Sequence, residues 1–325
     1  MEISFLDVLI AVAVLIVLAV PGFILKKTKI LSEHAGEAIS ALVLYGCQPI
    51  HVFMSFQEYY DSRIAINMLI VLGLAFLLHG IMLGVVHLLI RGKSDQAKKR
   101  VARFACVFSN CGYMGIPFLQ SIFPGLGEVI IYASVVIAVH NILNWTIGVY
   151  MITGNKKDMS VKKILLNPTI IATVIGAILF IAVGRPIASL ATEGTNTALF
   201  LNKFMGSLGM LGNIITPLAM TVIGIRFANV NLKKIFLDKW AYVVCALKLI
   251  LMAIITMLVV AWLPISETVK YVMFFVLAMP SATSTTLLTV RFGGDGDSAS
   301  IYVVLTTVLS VITIPLMYLL FNAIC

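Results

Sequence analysis

The stretch Asn110-Cys111-Gly112-Tyr113-Met114-Gly115-Ile116-Pro117 sets how this chain must fold. It interrupts an apolar run, about 101–122, that matches the roughly 20 residues a helix needs to cross a bilayer. Proline removes a backbone donor and clashes one turn back, and glycine weakens a helix interior. A peptide group freed in hydrocarbon without a partner costs roughly 2–7 kcal/mol. Broken backbone at that depth survives only where protein buries it or a watery cavity wets it. The stretch therefore predicts an unwound helix beside a substrate path.

The rest of the chain supports a membrane setting. Of its 325 residues, 61% are hydrophobic and 11% charged, and the mean hydropathy is +1.07. A soluble domain carries about 25% charged residues. The composition predicts an all-α, polytopic membrane protein. Met1-Glu2-Ile3-Ser4 lacks the positive start of a secretory signal, so the first apolar run reads as the first span. The five cysteines lack framework spacing and read as structural thiols.

Ten apolar segments can be drawn, at about 5–25, 35–55, 64–90, 101–122, 128–152, 164–183, 198–225, 238–263, 268–290 and 298–323. Numbering the loops from the N-terminus, eighteen Lys and Arg fall in or beside odd loops and four in even ones: Arg63, Arg185, Lys203 and Lys270. Lys248 alone stays inside a segment. The positive-inside rule then makes the odd loops cytoplasmic and turns both termini outward. This alternation, and not nucleic-acid binding, accounts for the net charge of +9. Clusters such as Lys98-Lys99-Arg100 read as topology signals and contacts to anionic lipid.

Shifting the second half back by 170 residues sets Tyr302 on Tyr132 and Pro280 on Asn110. Pro217 then falls within two positions of Pro49. Five spans per half give the halves opposite orientation, the inverted repeat of many secondary transporters. The predicted repeats are 1–152 and 153–325. The ninth segment carries a second interruption, Met279-Pro280-Ser281-Ala282-Thr283-Ser284-Thr285-Thr286. Two broken helices, 4 and 9, are thus predicted to cross near the midplane. Half-helix N-termini and unwound carbonyls meeting there can hold an anion and a cation without formal protein charge.

Candidate substrate contacts follow from that crossing. Asn110 offers a side-chain amide to a carboxylate, or else caps the half-helix after it. Gly112 and Gly115 serve backbone geometry, and Tyr113 lines the cavity or packs. Pro280, Ser281 and Thr283 supply the second break. Ser284 and Thr285 add hydroxyls, hard oxygen ligands that suit a small cation but also bond back to helix carbonyls. Gln48 with Pro49, and Thr216 with Pro217, are expected to face the crossing from the second and seventh segments. Lys248 lies about 15 Å into its segment at 1.5 Å per residue. A charge there is costly and faces the bundle interior or water, as an anion counter-charge, a coupling site or a structural partner. His79, and also His51, His87 and His140, read first as neutral imidazoles bonded to carbonyls, with proton relay the sharper alternative. Gly80 and Gly84 form G-x-x-x-G, read as close helix packing. Gly293–Asp297 approaches a calcium repeat but departs at Ser298, and reads as a tight loop. No H-E-x-x-H, nucleophile elbow or mid-span carboxylate pair supports an enzyme, and no metal site is expected.

At N-C-G-Y-M-G-I-P, at Tyr45-Gly46-Cys47-Gln48-Pro49, and from Ile214 through Phe227 (I-I-T-P-L-A-M-T-V-I-G-I-R-F), the chain resembles the auxin efflux carrier family, the PIN-like transporters. Its short loops resemble the prokaryotic members. The resemblance covers essentially the whole chain. It implies the fold of bile-acid/sodium symporters, with segments 1, 2, 6 and 7 as a scaffold and 3–5 and 8–10 as a transport domain moving like an elevator. It implies small organic anions as substrates, such as malate, malonate or auxin-like acids, and a homodimer joined through the scaffold. Plant members resemble one another in an asparagine at both breaks, whereas here the second reads Pro280-Ser281. The expected function is secondary transport of an organic anion across the cytoplasmic membrane, without cofactor, and with Na+ or H+ coupling left open. The alternatives are a ligand-binding membrane sensor and a sodium-coupled symporter of larger amphipathic anions such as bile acids.

Overall fold

A computed structural model describes residues 3–92, 95–230 and 232–325, without the side chains of Leu232, Lys233 and Phe236. Met1, Glu2, Lys93 and the Lys233 side chain, all used in the sequence reading, lie outside the described residues. Twelve helices matter to the site. They are α1 Phe5–Lys27, α2 Ala35–Ser55, α3 Ser62–Leu89, α4 Gln96–Val107, α5 Ile116–Ile122 and α6 Gly127–Thr153. There follow α7 Pro168–Leu190, α8 Asn196–Asn229, α9 Lys239–Ala261, α10 Glu267–Ala278, α11 Ser284–Arg291 and α12 Gly296–Ile324.

Among the described residues, eight of these are long and apolar enough to span a membrane: α1, α2, α3, α6, α7, α8, α9 and α12. The fourth and ninth apolar segments instead split into α4 with α5 and α10 with α11. The protein is a multi-pass, all-helical membrane protein, and no strand forms among the described residues.

Sequence chemistry sets the helix ends. Ser4 and Asp7 form a reciprocal capping box on α1. Asp61 caps α3, and Asn167 accepts from Thr169 and Ile170 ahead of Pro168, the first residue of α7. Gly154 ends α6 at φ 70°, a left-handed position that suits glycine. Helix α1 is apolar all round, as a membrane helix must be. Leu6, Ile10, Val14 and Val17 form its exposed stripe, and Val8, Ala11, Val12 and Leu15 its buried one.

Between helices, lipid offers no hydrophobic drive, because its tails are as apolar as leucine. Close approach must supply the attraction. A methyl group on Gly224 would sit 1.9 Å from the carbonyl oxygen of Ala19, and one on Gly22 would sit 2.1 Å from that of Thr221. These two glycines let the backbones of α1 and α8 touch. Likewise Gly176 of α7 receives Phe56 beside α2, at 2.5 Å from a would-be Cβ. The expected packing at Gly80 and Gly84 does not occur. Both are exposed on α3, and a Cβ there would meet nothing within 4 Å.

The fourth segment begins earlier than its hydropathy suggests, at Gln96, because its basic first turns are helical. Their charges are matched by protein groups. Lys98 pairs with Asp238 at 3.3 Å, Arg100 donates to the Thr153 carbonyl and Arg103 to that of Ile90. Two of these partners are helix-end carbonyls, which attract cations. The innermost elements are α4, α6 and α10, which are buried without a gap over 104–107, 131–140 and 272–278. The broken helices are therefore wrapped by protein, as backbone breaks in a bilayer require.

Candidate functional site

The two breaks meet. Ser109 and Ser281 face one another in an isolated antiparallel bridge. Asn110 N–H donates to the Pro280 carbonyl at 2.8 Å, and Ala282 N–H to the Phe108 carbonyl at 2.9 Å. The side chains repeat the exchange. Ser109 Oγ donates to the Leu277 carbonyl at 3.0 Å, and Ser281 Oγ to the Ala105 carbonyl at 2.9 Å. Each unwound strand thus satisfies the carbonyls that the other helix leaves open. Thr306 Oγ1 of α12 accepts from Ser281 N–H at 3.2 Å.

Ser109 lies opposite Ser281 in this antiparallel pairing, which sets Asn110 against Pro280. The serine contacts are spaced alike, since Ser109 and Ala105 lie 172 residues before Ser281 and Leu277 (281 less 109, 277 less 105).

Lys248 of α9 reaches this crossing. It is wholly buried and donates to Ser109 Oγ at 2.5 Å and to the Leu277 carbonyl at 3.2 Å. Leu277 lies in the last turn of α10, where the helix dipole is negative, so an ammonium is favourably placed. No carboxylate pairs with it among the described residues.

One side of the crossing opens into a narrow cleft with about 70 Å³ of room. Asn110, Gly112, Tyr113, Gln48, Thr283 and Ser284 line it, all of them candidates from sequence. The Asn110 amide nitrogen is buried without a hydrogen-bond partner, and its side chain caps no helix. Ser284 Oγ is also unpartnered. Gly112 leaves space for the Gln48 amide, which would lie 2.6 Å from an added Cβ. Tyr113 lines the cleft while its hydroxyl donates to the Ser40 carbonyl of α2 at 3.1 Å.

Other candidates lie outside the cleft lining. Ser281 is spent on Ala105, Pro280 lends its carbonyl to Asn110, and Gly115 packs near Met279. Thr285 is buried with an unpartnered hydroxyl deeper in α11. Thr216 and Pro217 do not line the cleft, against expectation, and Pro217 is exposed. The chain turns at Ile214 before the second half of α8 begins, and that half buries Ile215, Ala219 and Met220 instead. His79 is wholly buried behind the cleft, with Nδ1 2.7 Å from the Ala75 carbonyl. A carbonyl only accepts, so Nδ1 carries the hydrogen, and Nε2 is left without a partner. Its ring lies 6.1 Å from that of His140, which does line the cleft. His51 is buried, 3.5 Å from Gln120, and His87 is exposed.

Sequence reasoning missed Asn141, Asn144, Trp145, Asn167 and Thr169, all of which line the cleft. A signal existed for part of this set. His140 and Asn144 stand four residues apart in an apolar helix, on one face. The backbone supplies a second signal that hydropathy cannot. Widened π-type turns occur at Val43–Cys47, Cys111–Gly115, Asn144–Gly148 and Ala246–Leu251. They contribute Tyr45, Tyr113, Asn144 with Trp145, and Lys248, so all four gather at the crossing or its cleft. Such turns often mark functional sites.

A family model described as membrane transport protein matches residues 7–318. No individual curated protein matches the sequence. The chain belongs to this family, the auxin efflux carriers, and is a membrane transporter and not an enzyme.

Proposed function

We propose that this transporter moves small organic anions, carboxylates such as malate or malonate or auxin-like acids, by alternating access with an elevator-type motion. The observation that carries the reading is the unpartnered Asn110 amide, buried in a cleft at the meeting of two broken helices. A donor in that position gains a hydrogen bond to a charged acceptor, worth about 1.5–3 kcal/mol, where otherwise it has none. Thr283 and Ser284 stand on the cleft's other wall, at the start of α11, whose N-terminal dipole also favours negative charge. The 70 Å³ of room favours an acid of a few carbons over a bile-acid skeleton.

Ten crossings arranged as two inverted repeats support the motion. Eight continuous spans and two interrupted ones make ten. Helix contacts recur in matched pairs: α1 packs on α8 as α7 packs on α2, and α3 packs on α6 as α9 packs on α12. In this reading α1, α2, α7 and α8 form the scaffold, and the remaining helices carry the crossing. Lys248 then supplies a tethered cation beside the site, and Ser284 and Thr285 the oxygens for any coupling ion.

Purified protein in liposomes should take up labelled malonate or indole-3-acetate down an imposed gradient. Asn110→Ala should reduce that uptake at least tenfold, at unchanged elution volume and thermal midpoint. Uptake by Asn110→Ala at the wild-type rate would sink the assigned site.

A further inference from the structure

A second, wider cavity of about 320 Å³ adjoins the cleft. The two share Tyr45, Trp145 and Asn167 in their linings, which places them side by side. Its wall carries Lys162, Lys163 and Arg291. Lys163 Nζ lies 4.9 Å from the Trp145 ring centre, and the Arg291 guanidinium 5.8 Å from the same ring. Lys163 also lies 5.4 Å from the Phe292 ring. Among the described residues neither cation forms an ion pair with a carboxylate. They come from separate elements, one from the segment between α6 and α7 and one from the end of α11.

Two cations held over one indole are unusual, because like charges repel and each would gain more from a carboxylate. Aromatic faces retain a cation for about 0.5–1 kcal/mol at an exposed site and leave its outward side unneutralised. The result is a positive mouth with low-dielectric aromatic walls, beside the neutral donors of the cleft. Such a mouth raises the local concentration of anions by about 10- to 1,000-fold.

We propose that Lys163, Arg291 and Trp145 form an anion-collecting vestibule on the Lys/Arg-rich face, through which carboxylates reach the cleft. This rests on the anion-transport reading but is tested without transport. An acidic lipid headgroup offers the same anionic chemistry, so the test separates a lipid occupant from a soluble one.

Leu166 lines the vestibule, is exposed, and lies outside the cleft. A Leu166→Cys reporter in inside-out membrane vesicles is treated with an anionic or a cationic methanethiosulfonate, and labelling of that site is followed by peptide mass. The anionic reagent should be favoured about tenfold, relative to the ratio for free cysteine, as steering of this kind predicts. Lys163→Gln with Arg291→Gln should remove the preference, and Lys163→Arg with Arg291→Lys should keep it. The measurement is repeated in purified form in neutral phosphatidylcholine and in vesicles with phosphatidylglycerol. Preference retained in both supports a site for soluble anions. Preference lost with the anionic lipid would overturn the proposal in favour of a headgroup site. A ratio equal to that of free cysteine, or labelling only in right-side-out vesicles, would overturn it outright.

Discussion

Ser109 and Ser281 are bridged backbone to backbone, and each hydroxyl closes a carbonyl in the opposite helix, Leu277 for the first and Ala105 for the second. Two helices that could not cross a bilayer alone thus become one satisfied unit. Both serines are buried.

Ser281→Ala takes the donor from the buried Ala105 carbonyl, and Ser109→Ala takes one of the two donors from the Leu277 carbonyl, so each should destabilise the protein by about 1–3 kcal/mol. Ser109→Ala should be the worse, because Lys248 also loses a partner. Thermal unfolding in detergent checks both. Equal effects would mean that Lys248 gains nothing from the Ser109 hydroxyl.

Lys248→Met removes a buried charge while keeping the length of the stem. Replacing a buried ion by an apolar side chain of similar volume is often neutral or stabilising. The expected outcome is a thermal midpoint unchanged or raised, with malonate uptake down at least tenfold. Full uptake with Met in place would leave Lys248 a structural role alone.

Gly224→Ala should be among the most damaging single-methyl changes in the chain. The added carbon would lie 1.9 Å from a backbone oxygen, and backbone cannot yield as a side chain does. Overpacking of this kind costs about 1–3 kcal/mol or more. Gly84→Ala meets open space and should be neutral or stabilising by up to about 1 kcal/mol, since alanine favours the helix. Expression level and thermal midpoint of the two variants separate them.

Tyr113→Phe cuts the hydrogen bond from the crossing region to Ser40 of α2. If α2 stays fixed while the crossing moves, that bond exists in this conformation and breaks in the other. Losing about 1 kcal/mol should shift the balance roughly fivefold away from this state. Spin labels at Leu69 on α3 and Leu211 on α8, both exposed, would report the shift as a change in distance populations.

Residue order alone places the protein in a membrane, breaks the fourth and ninth segments, and says where along the chain they break. Those features are local: hydropathy is summed over one segment, and glycine and proline act on their own turns. Residue order also put Asn110, Gln48, Thr283 and Ser284 among the cleft residues, because polar groups in a span must face something other than lipid.

Which residues of the two breaks touch emerges only in three dimensions, where Ser109 stands against Ser281 and Lys248 bonds both to Ser109 and to the Leu277 carbonyl that Ser109 closes. Folding turned Thr216 away from the cleft and brought Asn144, Trp145 and Asn167 to it. Rotation of a helix about its axis is fixed by what its neighbours accept, and in a bilayer an apolar helix carries almost no stripe of its own to declare its inner face. Small contacts such as Gly224 against Ala19 set those rotations, and they exist only once the chain has folded.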